Sequence, residues 1–286
     1  IYTLSLHDAL PIYMDGTFLD DKKQYNRARF LACYHQLTQR HIKFVVASGN
    51  QYHQLRSFFP EIASEIAFVA ENGALIIDRD EELFCGAFSR NDIDAVLDTL
   101  ENGHYPDLRY LLCGRESAYY FEGMDEKWLV KMRHYCHRLR PIRSLDEVAD
   151  DRILKFALNL SDEYVEPLMA DIQRLHEGSA AATSSGHGSV DLIVPGQHKA
   201  NGLNLLAQRW GISHDRVLAF GDGGNDLEML QQSGFSFAMS NAPQRVKDAA
   251  RFLAPANNDE GVLQVIEQML AGETPFSGAE QGECAG

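Results

Sequence analysis

Two acidic turns carry most of the chemistry that this 286-residue chain could perform. Gly221-Asp222-Gly223-Gly224-Asn225-Asp226 sets two carboxylates and an amide on a glycine-rich turn, directly after the apolar run Val217-Leu218-Ala219-Phe220. Paired carboxylates offer the hard oxygen donors that Mg²⁺ prefers, with water and substrate oxygens completing the shell. A calcium loop of the EF-hand kind is excluded. It needs glycine at its sixth position and glutamate at its twelfth, and those are Leu227 and Ser233. Far upstream, Met14-Asp15-Gly16-Thr17 makes a second acidic turn, preceded by Tyr13. Ser48-Gly49 closes another apolar run, and a hydroxyl with the backbone N–H groups after it can hold a phosphate at a helix N-terminus. Lys199, ahead of a helical stretch, can offset charge on such a phosphate and on a nearby carboxylate. Singly, each has a plainer reading: Asp15-Gly16 as a hairpin turn, Ser48-Gly49 as a loop, Lys199 as a solvated charge. Their order and placement together give them weight.

The elements that must position these residues read as an α/β sheet. Phe30, Leu31, Tyr34 and Leu37 predict a helix from Asn26, and the continuous apolar run 42–47 predicts a parallel strand covered on both faces. A second helix closes at Pro60, and residues 68–70 and 74–77 read as further strands around a turn at Asn72-Gly73. Strand, helix and strand in repetition is the signature of a doubly wound parallel sheet. Ligands in such a sheet bind beyond the carboxyl ends of its strands, where the turn at Asp15, Ser48-Gly49, Lys199 and 222–226 all fall.

The middle of the chain differs. Residues 108–113 and 118–121 read as neighbouring strands, followed by a helix over 125–138. Residues 154–160 alternate, with Phe156, Leu158 and Leu160 on one side, as in a half-buried antiparallel strand. A helix over 163–175 and a Ser/Gly-rich turn at 184–189 complete an α+β module, residues 82–189, inserted into an α/β core of residues 1–81 and 190–272. The α/β rhythm then resumes, with helices over 200–210, 226–232, 243–250 and 261–270 and strands over 217–220 and 235–239. Residues 273–286 are small and polar and read as a flexible tail.

Composition narrows the partners. A net charge of −15 argues against nucleic acid and anionic membranes, which need a basic footprint. It leaves room for a phosphorylated small molecule, because a bound divalent cation reverses the local field. Five scattered cysteines without CxxC spacing read as free thiols in a reducing cytosol. No apolar run approaches the ~18 residues of a membrane span, and no signal peptide is read at the start. The expectation is a soluble cytoplasmic protein.

Four motifs in order, with an insertion between the second and third, resemble the haloacid dehalogenase superfamily, and within it the Cof-type, SupH-like sugar phosphatases. The resemblance runs over residues 13–272. The family's first motif, Asp-x-Asp-Gly-Thr, stands here as Tyr13-Met14-Asp15-Gly16-Thr17; Ser48-Gly49 matches the second, Lys199 the third and 221–226 the fourth. The resemblance implies Mg²⁺-dependent hydrolysis of phosphomonoesters through an aspartyl-phosphate, with an inserted C2-type cap that chooses the sugar. It implies that Asp15 is the general acid and then base, its carbonyl also touching Mg²⁺. Asp222 and Asp226 become metal residues, and Ser48, Gly49, Lys199 and Asn225 hold the phosphoryl group. His187 or the stretch 115–120 could contact the sugar.

Tyr13 stands where that pattern has its aspartate nucleophile. A phenol with a pKa near ~10 is bulky, mostly neutral and a poor Mg²⁺ ligand. Two readings follow: a pseudo-phosphatase that binds phosphosugars without turnover, or a start that is foreign to the protein. The strand before the motif should be apolar and central, yet it holds Leu6-His7-Asp8 and then Pro11, which cannot donate to a ladder. We read residues 1–12 as a translated sequencing adapter joined to the gene. Its last base would turn an aspartate codon into a tyrosine codon at position 13. A phosphomutase of the same superfamily is a further alternative. A dinucleotide-binding module is the weakest, since no G-x-G-x-x-G follows a first strand.

Overall fold

The structure is a computed structural model that describes residues 8–186 and 188–276; His187 lies outside them. In chain order its first elements are β1 (Ala9–Ile12), α1 (Arg27–Gln39), β2 (Lys43–Ala47), α2 (Tyr52–Ser57), β3 (Ala67–Ala70), β4 (Leu75–Asp78) and β5 (Glu81–Cys85). There follow α3 (Arg90–Asn102), β6 (Arg109–Gly114), β7 (Ala118–Phe121), α4 (Glu126–Met132), β8 (Leu139–Ile142), β9 (Ile153–Asn159), α5 (Val165–Leu175), β10 (Ala181–Gly186) and β11 (Ser189–Ile193). The last are α6 (Lys199–Trp210), β12 (Leu218–Gly221), α7 (Leu227–Gln232), β13 (Phe235–Met239), α8 (Gln244–Lys247), β14 (Phe252–Ala254) and α9 (Gly261–Ala271). Two compact units result: the chain up to Ala47 together with the chain from Leu203 onward, and Ser48–Gly202.

In the first unit the strands run β14-β13-β12-β1-β2, all parallel. All four residues of β1 are buried, as a strand with neighbours on both sides requires. Its formation corrects the expectation that Pro11 would spoil it. Pro11 registers with Val45 of β2, while the pairings toward β12, Ala9↔Val217 and Ile12↔Phe220, straddle the ring. An ion pair at the strand entrance, Arg216 Nη2 to Asp8 Oδ1 at 2.8 Å, adds a further tie. Helix α1 starts at Asn26, whose side chain accepts from the Arg29 N–H, and buries Phe30, Cys33, Tyr34 and Leu37. Arg29 in turn holds α9 through Glu267, Nε to Oε1 at 2.7 Å. Phe276, inside the stretch read as a tail, is buried and stacks on Phe235 and Phe237. An aromatic ring at that position outweighs its small polar neighbours.

The second unit contains the antiparallel run β3-β4-β5 and a six-stranded sheet ordered β10-β11-β9-β6-β7-β8. That sheet is antiparallel except between β7 and β8. One face carries Leu112, Phe156, Leu158, Val190 and Leu192 against residues of α3 and α5, such as Val96 and Leu168. The other carries Leu111, Cys113 and Ala118 against Trp128 and Leu129 of α4. Three expectations change here. The helix expected over 125–138 stops at Met132, and β8 begins at Leu139, just past its expected end. The Ser/Gly-rich stretch 184–189 lies at the closed end of a hairpin, β10 with β11, whose two strands were not expected and whose ladder continues onto β9. And the second face of β9 is not wet: Lys155 on it is 6% exposed. Among the described residues no helix is long and apolar enough to cross a membrane.

Candidate active site

In the first unit the two acidic turns sit at the carboxyl ends of neighbouring parallel strands, β1 and β12, registered at Ile12↔Phe220. The upstream turn folds back on itself, with the N–H groups of Phe18 and Leu19 donating to the Met14 carbonyl at 3.0 and 2.8 Å. Phe18 anchors it by packing on Phe30 and Phe44, with ring centroids 5.3 and 6.5 Å apart. Gly16 takes φ +75°, and a Cβ there would overlap the Asp222 carboxylate. A hydrogen bond joins the two turns: Thr17 Oγ1 donates to Asp222 Oδ1 at 2.6 Å. Asp226 is fully buried, and its Oδ2 accepts from the N–H groups of Asp222 and Gly223 at 3.1 and 3.0 Å. It therefore shapes the turn that presents Asp222 and Asn225. Asp15 is paired with Lys23, Nζ to Oδ1 at 2.7 Å. Tyr13 leaves the end of β1 half-buried, its carbonyl accepting from the Phe18 N–H at 3.2 Å.

Two asparagines missed by the sequence reading complete this turn. Asn241 Nδ2 donates to the Gly16 carbonyl at 2.8 Å, and Asn257 Nδ2 to the Leu19 carbonyl at 3.0 Å. The Asn257 N–H also donates to Asn241 Oδ1 at 3.2 Å, so the pair acts as one strut. The available signal was position: Asn241 follows β13, at the end of a parallel strand where ligands and their supports gather.

In the second unit Ser48 is fully buried right after β2 ends. Its N–H donates to Val69 O at 2.9 Å, its carbonyl accepts from Asn72 N–H at 3.2 Å, and its Oγ accepts from Asn50 N–H at 3.1 Å. Of the amides that follow Ser48, that of Asn50 is thus engaged by the Ser48 hydroxyl oxygen, while the Ser48 N–H itself pairs with β3. Lys199, the first residue of α6, is 1% exposed, which rules out the solvated-charge reading. The residue before it, His198, lies against Gly73 (φ +96°), where a Cβ would come within 2.5 Å of the His198 carbonyl oxygen. Ser48-Asn50, Glu71-Gly73 and His198-Lys199 therefore converge. Burial pushes the Glu71 carboxyl up to about 7, with Lys155 pulling it down. Burial alone would lower the Lys155 ammonium, but Asp191 and Glu71 more than reverse this and hold it above the usual lysine range. Of the stretch 115–120, Arg115 is held by Glu82, Nε to Oε2 at 2.8 Å, and lies over the Tyr52 ring. Tyr119 OH donates to Asp151 at 2.7 Å.

Among the described residues no group of three or more His, Cys, Asp or Glu is clustered as a metal cage. Asp222 and Asp226 are two carboxylates of the kind Mg²⁺ takes beside its waters, and they could hold one. One oxygen of each carboxylate is engaged, Asp222 Oδ1 by the Thr17 hydroxyl and Asp226 Oδ2 by two amides.

Residues 12–266 match the haloacid dehalogenase-like hydrolase family. The chain belongs to that family. A 5-amino-6-(5-phospho-D-ribitylamino)uracil phosphatase of Escherichia coli strain K12, YbjI, is 46% identical over 93% of this chain and 97% of its own length. The crystal structure of SMU.1108c from Streptococcus mutans UA159 superposes with a TM-score of 0.88 at 37% identity, over 93% of this chain and 99% of that one. The subclass IIB sugar phosphatase BT4131, at 17% identity and a TM-score of 0.76 over 91% of this chain and 98% of its own, shares the fold. The architecture is thus a haloacid dehalogenase core with a cap domain, and the chain is a phosphatase-family hydrolase.

Proposed function

We propose that this chain is built to hydrolyse phosphomonoesters of sugars or sugar alcohols with Mg²⁺, in the cytoplasm, with residues 82–189 as the cap that selects the substrate. The observation that carries the reading is the Thr17–Asp222 hydrogen bond, which joins two acidic turns at adjacent strand ends. The names of relatives support the substrate class: one acts on a phosphorylated ribityl compound and another is a sugar phosphatase. Four unpaired thiols, Cys33, Cys85, Cys113 and Cys136, support a reducing compartment.

Asp15 would protonate the leaving alkoxide as the phosphorus–oxygen bond breaks, then take a proton from the water that attacks the phosphoenzyme. Asp222, with Asp226 behind it and the Asp15 carbonyl, would hold Mg²⁺, which supplies charge to the phosphoryl oxygens. Ser48, Gly49, Lys199 and Asn225 would hold the transferring group. The covalent step needs a carboxylate at position 13. With Tyr13 there, the chain binds a phosphosugar and does not turn it over, and its Tyr13→Asp variant does.

The test is phosphate release from hexose phosphates and from 5-amino-6-(5-phospho-D-ribitylamino)uracil, with Mg²⁺ and with a chelator, for both forms. Release by the aspartate variant alone, abolished by the chelator, is the expected result. Isomerised sugar phosphate in place of free phosphate would mean a mutase. No release and no substrate binding by either folded form would end the phosphatase reading.

A further inference from the structure

A buried cluster of charge in the second unit faces the Ser48-Gly49-Asn50 loop and belongs to none of the four motifs. Lys155 reaches from β9 and donates from Nζ to the Gly49 carbonyl at 2.5 Å. The same ammonium lies 3.2 Å from Asp191 Oδ2 on β11 and 3.5 Å from Glu71 Oε2. Asn72 Nδ2 donates to Asp191 Oδ2 at 2.6 Å, which closes the ring of partners. Desolvating a lysine and a glutamate is costly unless each is paired, and nothing about the sheet requires them: β9 alternates correctly without a charge at that place.

The loop gives that cost a purpose. Gly49 O and Asn50 N–H belong to one rigid peptide plane. Fixing the carbonyl toward Lys155 fixes the Asn50 N–H in the opposite direction, where it donates to Ser48 Oγ at 3.1 Å. With that oxygen accepting the Asn50 N–H, the hydroxyl proton can be offered to an incoming oxygen. Gly49 is held from the other side as well, since a Cβ on it would sit 2.7 Å from Asn72 Oδ1. That Asn72 oxygen is buried and has no hydrogen-bond partner, as is the case for Glu71 Oε2. Glu71 and Asn72 both take positive φ, 51° and 57°, a conformation that side chains other than glycine rarely adopt.

We propose that Lys155 is a positioning residue for the phosphoryl-binding loop: through Gly49 and Asn50 it sets the Ser48 hydroxyl as a donor. This rests on the phosphatase reading and adds to it a residue from the inserted sheet. It differs from mere support of the fold, because it predicts that ligand affinity and stability separate. Removing Lys155 alone takes the countercharge from Asp191, which is partly buried and keeps only Asn72 of the donors named above, so the test pairs Lys155→Met with Asp191→Asn and takes the Asp191→Asn variant as reference. Calorimetry with inorganic phosphate, on chains that keep Tyr13, should show the double variant binding about tenfold more weakly, the scale of one lost hydrogen bond to a charged group. Its urea midpoint should stay near that of the reference. In Tyr13→Asp forms of the same pair, kcat/KM should fall by a similar factor.

Equal phosphate affinity and equal kcat/KM in the two variants would overturn the proposal while leaving the phosphatase reading intact. A measurement on the unsubstituted chain guards against variants that fail to fold. Its Asn50 amide should exchange hydrogen as slowly as those of β9, and fast exchange there would overturn the proposal too. If the unsubstituted chain binds no phosphate and its Tyr13→Asp form releases none, the phosphatase reading falls and takes this inference with it.

Discussion

Gly16 is the residue at which the smallest change has the widest chemical reach. Its φ of +75° and its contact with the Asp222 carboxylate make two separate demands for glycine. Gly16→Ala meets both: the left-handed conformation costs about 1–2 kcal/mol, and the methyl must displace a carboxylate that Thr17 holds. The expected outcome is a modest fall in the urea midpoint with a much larger loss of Mg²⁺ affinity, read by titration calorimetry. Unchanged Mg²⁺ affinity would mean that Asp222 does not hold the metal. At this scale the sequence was readable where chemistry and turn geometry coincide. Gly16 and 221–226 announce themselves by glycine beside aspartate. Asn241 and Asn257 do not, since an asparagine near a turn is commonplace and only the fold aims both at the Asp15 turn. Lys155 was hidden for another reason. Its strand alternates properly, so the sequence leaves nothing to say that the second face is also covered.

Strands are legible when they are central and apolar, and fade toward the edges. Residues 42–47 and 217–220 were visible as continuous runs because both faces are buried. β8 and β14 were not: one is Leu-Arg-Pro-Ile with two exposed residues, the other three residues long. An edge strand has fewer apolar neighbours to satisfy, so its composition carries less signal. β1 is the informative exception. It is central and fully buried, yet it contains a proline that forfeits a ladder hydrogen bond. Pro11→Val should restore an N–H facing a strand carbonyl and raise stability by about 1 kcal/mol, seen as a higher urea midpoint at unchanged slope. A lower midpoint would mean that the ring's packing matters more than the missing donor. Neither outcome alters Tyr13, so this strand and the nucleophile position can be tested independently.

For the molecule as a whole, pH separates burial from charge pairing. Most acids whose carboxyls are shifted down, among them Asp21, Asp171 and Glu267, are hydrogen-bonded surface groups, and these favour the folded chain as pH rises. Glu71 runs the other way. Its carboxyl moves from 4.5 to about 7 because burial outweighs Lys155. Between those two values the folded chain holds a proton that the unfolded chain has released. Its stabilising share is therefore complete below about 4.5 and is lost as pH climbs through about 7, a change of about 3 kcal/mol over the window. Glu71→Gln removes the titration and keeps the shape. The stability of the unsubstituted chain minus that of the variant should fall as pH rises from 5 to 8, measured by urea unfolding at each pH. A difference that stays flat would mean that Glu71 keeps its charge throughout, held by Lys155 as a full ion pair. A rise confined to pH below about 5 would reverse the sign and make that pair a net stabiliser. The expected slope says instead that the cluster behind the Ser48 loop is tolerated at neutral pH at a cost to stability, which is what a device kept for positioning should look like.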